Sequence, residues 1–233
     1  MSVRAIADIT RARRGRVVLG AVTYNRDALM RQAFGLLRSR GLNVAQAQAG
    51  AAIGWMESRY GVQPPFLLPD GAPSWNFGAT TARAGVPSFG GNDKDKDGKP
   101  ITQRWARWPS MVEGIDYWID GFGSVRAALP FFAEGDAVSG AAQMYDRGYY
   151  TMTAGTREER IRGYARAIVD TAQLVAVATS TPLALHRAAP VPPKASGPIP
   201  QGPAKRHREG SSMVGLALVF ALPLGWYALR KVL

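Results

Sequence analysis

The sequence predicts a mainly α domain of the α+β class, with a helical lobe, a small loop-rich lobe holding a β-hairpin, and a C-terminal transmembrane helix. Three observations predict it. Residues 25–60 and 109–178 carry capped stretches with apolar side chains at helical spacing. Residues 61–108 lose that period and are rich in Gly, Pro, Asp and aromatics. Near the end, the 17 uncharged residues 213–229 run directly into Arg230-Lys231.

Taken in order, residues 1–24 read as a basic N-terminal arm with a short apolar run, Val17 to Val22, too short and too late for a signal peptide. The folded domain is expected over residues 25–181. Asn25 caps a first helix through Leu29, Phe34 and Leu37, with Gly41 as its stop. Asn43 caps a second, from Val44 to about Ser58, whose Ala47, Gly50, Ala51 and Gly54 permit close approach of a neighbouring backbone, so it reads as central and buried. A hairpin follows, its second strand near Gln103 to Trp108. Ser110 and Glu113 form an S-x-x-E box opening a third helix with Met111, Ile115, Trp118, Ile119 and Phe122 on one face. A fourth helix covers about Ala137 to Tyr145. A fifth starts with the T-x-x-E box of Thr156 and Glu159 and runs to about Ala178. Residues 182–212 begin with seven prolines by Pro203 and read as an extended, basic linker. Residues 213–229, with Trp226 and Tyr227 at interfacial depth, are the expected membrane span, with docking on a partner protein as the alternative, and residues 230–233 form a basic tail.

Cysteine is absent, which excludes disulfides and thiolate chemistry. The only histidines, His186 and His207, fall in the Pro-rich region, so acid–base work in the folded part falls to carboxylates, Tyr or Lys. The net charge of +12 divides into +4 over residues 1–16, +6 over 183–233 and +2 between. The basic tails therefore suit anionic lipid or other polyanions, while the nearly neutral middle and the lack of a nucleic-acid motif argue against specific nucleic-acid binding.

Glu57 stands at the end of the small-residue helix in Gly54-Trp55-Met56-Glu57-Ser58-Arg59-Tyr60-Gly61. Burial against Trp55 and the partial negative charge of a helix C-terminus disfavour its anion, and Arg59 opposes both. Two readings follow: a carboxyl tuned as a general acid, or one salt-bridged to Arg59 at a helix end. Aromatics are dense around this segment, and of these Trp75 and Tyr149 are the expected ligand-facing rings.

After Glu57 come Trp75-Asn76-Phe77-Gly78, then Ala106 to Tyr117 with Ser110, Glu113 and Asp116, then Gly148-Tyr149-Tyr150-Thr151 before a helix with Tyr164. In order and spacing, residues 27–170 resemble the glucosaminidase family of peptidoglycan hydrolases, the flagellar and autolysin type within the lysozyme-like superfamily. The resemblance implies a lysozyme-like fold, peptidoglycan glycan strands as partner and substrate, and no required cofactor. It matches Glu57 to the catalytic acid, Asn76, Phe77 and Gly78 to the segment beside it in the substrate cleft, and Tyr149 to the aromatic residue near the acid. Tyr150 joins the substrate-binding candidates. Glu113 and Asp116 match a structural helix signature.

The chain departs from the family where a second carboxylate is expected. No Glu lies between Ser58 and Val112, and the acidic residues from Trp75 to Pro109 are Asp93, Asp95 and Asp97. Their D-x-D-x-D-G spacing with Gly98 could hold calcium, could be a solvated turn, or could supply a water-activating carboxylate, for which Asp97 is the candidate. The functional readings are thus a glycan hydrolase, a lytic transglycosylase working with Glu57 alone, and a wall-binding or assembly protein without turnover. The C-terminal span suggests a single-pass anchor, in a virion membrane with phage proteins as partners or in a bacterial inner membrane facing the wall.

Overall fold

A computed structural model describes residues 16–19, 22–94, 99–150, 155–186 and 190–194, with only the backbone described at 16–19, 22, 23 and 94. It is mainly helical with two small antiparallel sheets. The expected span at 213–229, most of the linker, the tail, and Asp95 and Asp97 lie outside the described residues. Among those described, no helix is long and apolar enough to cross a membrane.

The chain enters through a hairpin, β1 (Arg16–Leu19) and β2 (Val22–Asn25), with Arg16 opposite Asn25 and Leu19 opposite Val22. Residues 16–19 and 22–25 are therefore paired strands, where the sequence suggested an arm up to residue 24. Val17, Val18, Val22 and Thr23 are strong strand formers separated by a two-residue connection, which favours pairing. Tyr24 leaves the hairpin to pack against the helical core.

Helix α1 (Arg26–Ser39) starts where Asn25 accepts a hydrogen bond from the Ala28 amide at 3.0 Å. Helix α2 (Val44–Ser58) starts at a reciprocal capping box: Asn43 accepts from the Gln46 amide at 2.9 Å, and the Gln46 side chain accepts from the Asn43 amide at 2.8 Å. As its small residues suggested, α2 is central. Ala47, Ala49, Ala51, Ala52 and Ile53 have no exposed surface, and it packs against α1, α4 (Gly123–Ala133) and α6 (Arg157–Thr179). A Cβ on Gly54 would sit 2.4 Å from the Phe77 ring, so this contact requires glycine. Arg59 and Tyr60 then take left-handed backbone conformations, φ 49° and 58°, and turn the chain sharply out of the helix.

The small lobe is built on β3 (Ser88–Lys94) and β4 (Pro100–Ala106), with Ser88 opposite Ala106 and Lys94 opposite Pro100. The second strand thus begins and ends earlier than expected from its aromatics. The amides of Arg107 and Trp108 bond instead to the carbonyls of Pro87 and Ser74, at 2.9 and 2.8 Å, which takes the chain off the ladder. Beneath the hairpin, Phe66, Ala79, Phe89 and Trp105 make a core separate from the main one.

Helix α3 (Met111–Gly121) buries Met111, Ile115 and Trp118. The capping box expected at its start does not form: the Ser110 hydroxyl donates to the Glu113 carboxylate and makes no cap to the backbone. Asp116 pairs with Arg40, a structural role as anticipated. Helix α4 follows within two residues and carries Pro130. Gly121, Gly123 and Pro130 are breaker signals, so no helix is expected there from the sequence; burial of Val125, Ala128 and Phe132 outweighs them. Helix α5 (Ala137–Asp146) is capped by Asp136. Helix α6 opens with the expected Thr156–Glu159 box.

The chain beyond α6 stays on the domain. Leu185 is buried in the main core, and Leu183, Ala184 and Val191 pack against it. His186 forms a parallel bridge with Asp136, donating its amide to Gly135 O at 2.8 Å. The start of the segment expected as a free linker is thus a strap. Its prolines hold it extended, and its apolar residues between them find an apolar seat.

Gly54→Ala drives a methyl into Phe77 at the centre of the fold. The expected result is a loss of about 1–3 kcal/mol of stability in denaturant unfolding, the usual cost of overpacking a closed core.

Candidate active site

Glu57 lies in the last turn of α2, where the neighbouring helix surfaces are close because the intervening side chains are small. Its side chain is only partly withdrawn from solvent, so it can be reached from outside. The crowding of protein atoms around the carboxyl still strips most of its water, and this desolvation raises its pKa to about 7. Two weaker effects oppose the rise: a hydrogen bond from Tyr164 and the nearby charge of Arg59.

The Tyr164 hydroxyl donates to Glu57 Oε1 at 2.6 Å. Tyr164 comes from the first half of α6, so the pair joins two helices that pack directly on one another. Burial and the Glu57 charge push the Tyr164 pKa well above its ordinary value, which keeps it a proton donor in the hydrogen bond across the working range. Behind it lies Tyr150, its ring stacked on Tyr164 with centroids 3.7 Å apart and planes 19° apart. The Tyr150 hydroxyl donates to Ala141 O at 3.1 Å.

On the other side, Arg59 sets its guanidinium 4.8 Å from the Trp55 ring and donates to Trp55 O at 2.8 Å. The cation is therefore fixed two residues from the acid by an aromatic face and a carbonyl. Ser58 accepts from the Gly78 amide at 3.2 Å and donates to Gly54 O at 3.1 Å, which ties the segment after Trp75 to the end of α2.

What results is a solvent-reachable carboxyl that holds its proton up to near-neutral pH, buttressed by a tyrosine and overlooked by a fixed cation. Such a group can protonate a leaving oxygen and later recover the proton. Among the described residues, no group of three or more carboxylate or imidazole side chains could hold a metal ion.

No family model matches the sequence, and no curated protein matches it. Among solved structures, the chain is similar to the glycoside hydrolase domain of FlgJ from Salmonella typhimurium, at 19% identity and a TM-score of 0.45, over 66% of this chain and 89% of that one. It is also similar to the catalytic domain of the autolysin Auto from Listeria monocytogenes, at 15% identity and a TM-score of 0.36, over 77% of this chain and 97% of that one. These likenesses are too distant to place the chain in a family.

Several residues singled out in the sequence take different roles in the structure. Tyr149 lies within electrostatic reach of Glu57, whose charge helps to raise its pKa, but its hydroxyl bonds elsewhere. Its hydroxyl donates to Gly78 O at 2.8 Å and accepts from Trp118 Nε1 at 2.7 Å, so both its polar functions are committed beneath the site. Asn76 has no exposed surface; its amide group donates to the Thr80 and Ala106 carbonyls at 2.8 and 2.9 Å and accepts from the Thr80 amide at 2.6 Å. Phe77 is equally enclosed, stacked on Tyr60 and edge-on to Trp118. Gly78 is buried with them. These three and Tyr150 brace the site from beneath and present no side chain to a ligand. Trp75 alone of the expected binding residues keeps part of its ring accessible, standing edge-on to Tyr24 at 6.2 Å. Asp93 sits in β3, and its expected partners in a calcium loop, Asp95 and Asp97, are outside the described residues.

Tyr164 is the functional residue that sequence reading missed. It falls between Ile161 and Ile168 on the buried stripe of α6 and reads as core. Its polar tip was the one available signal, because a buried tyrosine hydroxyl needs a partner.

Two outcomes follow from the charge balance at Glu57. Removing the Tyr164 hydroxyl removes a bond to the anionic form, so Tyr164→Phe raises the Glu57 pKa, by about one unit if that bond carries an ordinary charge-assisted energy; NMR titration of the labelled carboxyl reads it. The second concerns stability. The folded protein holds this proton more tightly than the unfolded chain, so stability falls as pH rises from the ordinary carboxylate value through about 7. Glu57→Gln therefore raises the melting temperature at pH 8 and leaves it nearly unchanged at pH 4.

Proposed function

We propose that this protein cleaves the glycan strands of bacterial peptidoglycan, with Glu57 as the general acid. The observation that carries the proposal is the reachable Glu57 carboxyl, held protonated to about pH 7 and braced by Tyr164. The order of motifs around it, resembling the glucosaminidase type, supplies the substrate class. Glu57 gives its proton to the glycosidic oxygen as the bond to the anomeric carbon breaks, and the sugar passes through an oxocarbenium-like state. Trp75 supplies an aromatic face for a sugar ring.

The second half of the reaction has two forms. In hydrolysis a second carboxylate, for which Asp97 is the candidate, activates water. In the lytic transglycosylase form, Glu57 takes back the proton from a sugar hydroxyl that closes onto the anomeric carbon. Both forms share the first step, in which Glu57, held by Tyr164 and facing the charge of Arg59, gives up its proton, and the reaction products separate them. A non-catalytic wall-binding protein is the remaining alternative. It would bind glycan and release no new ends.

In the same proposal, residues 213–229 anchor the domain in a lipid bilayer, the basic flanks lie on anionic lipid, and the strand-cleaving domain faces the wall. A phage particle with a membrane, with virion proteins as neighbours, is one setting in which such an anchor serves local wall opening; a bacterial inner membrane is the other. Calcium held by Asp93, Asp95 and Asp97 is the alternative use of that loop to water activation by Asp97, and is not part of the chemistry.

Mass spectrometry of peptidoglycan digested by the full chain tests the proposal. Wild type should release glycan fragments, with 1,6-anhydro ends for transglycosylation and reducing ends for hydrolysis. Glu57→Gln should lower the rate by roughly 10²–10⁴-fold, the usual share of a general acid. Full activity in that variant would remove Glu57 from the mechanism.

A further inference from the structure

The strap after α6 is held at two places, and each is on a helix that carries half of the Glu57–Tyr164 pair. The first is Gln48, in the middle of α2 and with no exposed surface. Its amide nitrogen donates to Pro182 O at 2.8 Å and to the Thr181 hydroxyl at 3.2 Å, and its amide oxygen accepts from the Ala184 amide at 2.8 Å. A fully buried glutamine thus spends both ends of its amide on the backbone and side chain of the strap. The second is Arg157, at the first turn of α6. It donates to Pro192 O at 3.0 Å while forking onto both oxygens of Asp146, at 2.8 and 2.7 Å. The Asp146 side chain is only 1% exposed and that of Arg157 is 29% exposed, so the carboxylate is enclosed and the two-bond fork onto it is directional.

Between the two posts the strap has a fitted seat. Leu185 is buried in the main core. Gly135 is in the left-handed region, φ 79°, and a Cβ there would come within 2.5 Å of Ala184 O, so the α4–α5 connection is shaped around the strap. The α6 post also continues toward the acid. Arg160, one turn beyond Arg157, donates to the Tyr145 hydroxyl at 3.0 Å, the Tyr145 ring lies 5.4 Å from Tyr150, and Tyr150 stacks on Tyr164.

We propose that residues 181–186 and 190–192 form a staple that fixes α6 against α2 and so positions Tyr164 on Glu57, with Gln48 and Arg157 as positioning residues. Neither residue touches the reacting atoms. They act through the register of two helices: a slide of α6 by an ångström takes the Tyr164 hydroxyl out of hydrogen-bond distance of the carboxyl. In sequence the staple precedes the apolar segment 213–229. This inference rests on Glu57 being the acid proposed above.

The groups that bear on Glu57 in this test are Tyr164 and Tyr150, Tyr149 beneath the site, and Arg59 on its own turn. The experiment uses the full chain and four variants, Gln48→Ala, Arg157→Gln, Arg157→Lys and Tyr164→Phe, at a temperature below the melting point of each. The carboxyl titration of Glu57 is followed by NMR, with the signal assigned by its loss in Glu57→Gln. Gln48→Ala and Arg157→Gln should move the midpoint upward, in the direction and up to the size of the Tyr164→Phe shift. Arg157→Lys, which keeps the charge and loses the fork, should move it less. Neither Gln48→Ala nor Arg157→Gln should add to the shift in a Tyr164→Phe background. A midpoint that stays at the wild-type value in the folded variants, with only the melting temperature lowered, overturns the staple as a positioning device. If wild type releases no glycan fragments, the proposed function fails, while the titration still decides the staple.

Discussion

The contact on which the rest of the molecule depends is the close approach of α2 to its surroundings. Between Ala45 and Trp55 almost every side chain is small and enclosed, so neighbouring backbones and rings come within van der Waals distance of the helix axis. Phe77 lies against Gly54 with no room for a methyl. This closeness has an electrostatic result. The carboxyl at the end of such a helix is crowded by protein atoms that strip most of its water, and its proton becomes hard to remove. The small residues that allow the packing are therefore the source of the acid's tuning.

A second consequence concerns the segment from Ser74 to Thr80. Phe77 and Gly78 meet the last turns of α2 at Gly54 and Ser58, yet the work of this segment is mechanical. Asn76 ties together the backbones of Thr80 and Ala106, Phe77 fills the space over Gly54, and Gly78 joins Ser58 to Tyr149. The small lobe is thus hinged on the helical lobe through buried hydrogen bonds next to Glu57. Left-handed backbone at Arg59, Tyr60, Trp75 and Ala79 marks the same junction. Such conformations cost energy in residues other than glycine and persist where the surrounding contacts over-determine them.

Much of the helical lobe was legible because its signals are local. Asn25, Asn43 and Thr156 announce helix starts through their own hydrogen bonds, and the small-residue stripe of α2 announces burial. Helix α4 was hidden because Gly123 and Pro130 argue against a helix on every local rule, and only the burial of Val125, Ala128 and Phe132 reverses them. Ser110 shows the opposite failure, a correct box spelling whose hydroxyl turns to Glu113. The strap was hidden for a related reason: seven prolines describe a chain that cannot build its own core, and they say nothing about whether it can lie on another. At the site, Glu57 could be picked out by its odd setting on an apolar helix. Its partner Tyr164 could not, because a tyrosine on a buried helical stripe looks like any other core aromatic, while Tyr149, with the better sequence credentials, spends its hydroxyl on Gly78 and Trp118.

The all-round burial of α2 has a bearing on how a protein of this shape can change over time. A helix enclosed on every side leaves few positions at which a larger or more polar residue can be accommodated, so the stretch that delivers the acid is nearly closed to drift. Variation is displaced to where packing is thinner. The lobe of residues 61–108 rests on a separate core of four buried side chains, and outside the β3–β4 hairpin its described residues are mostly loops, which tolerate insertion and replacement. Divergence can accumulate there while the Glu57 carboxyl and its setting stay unaltered.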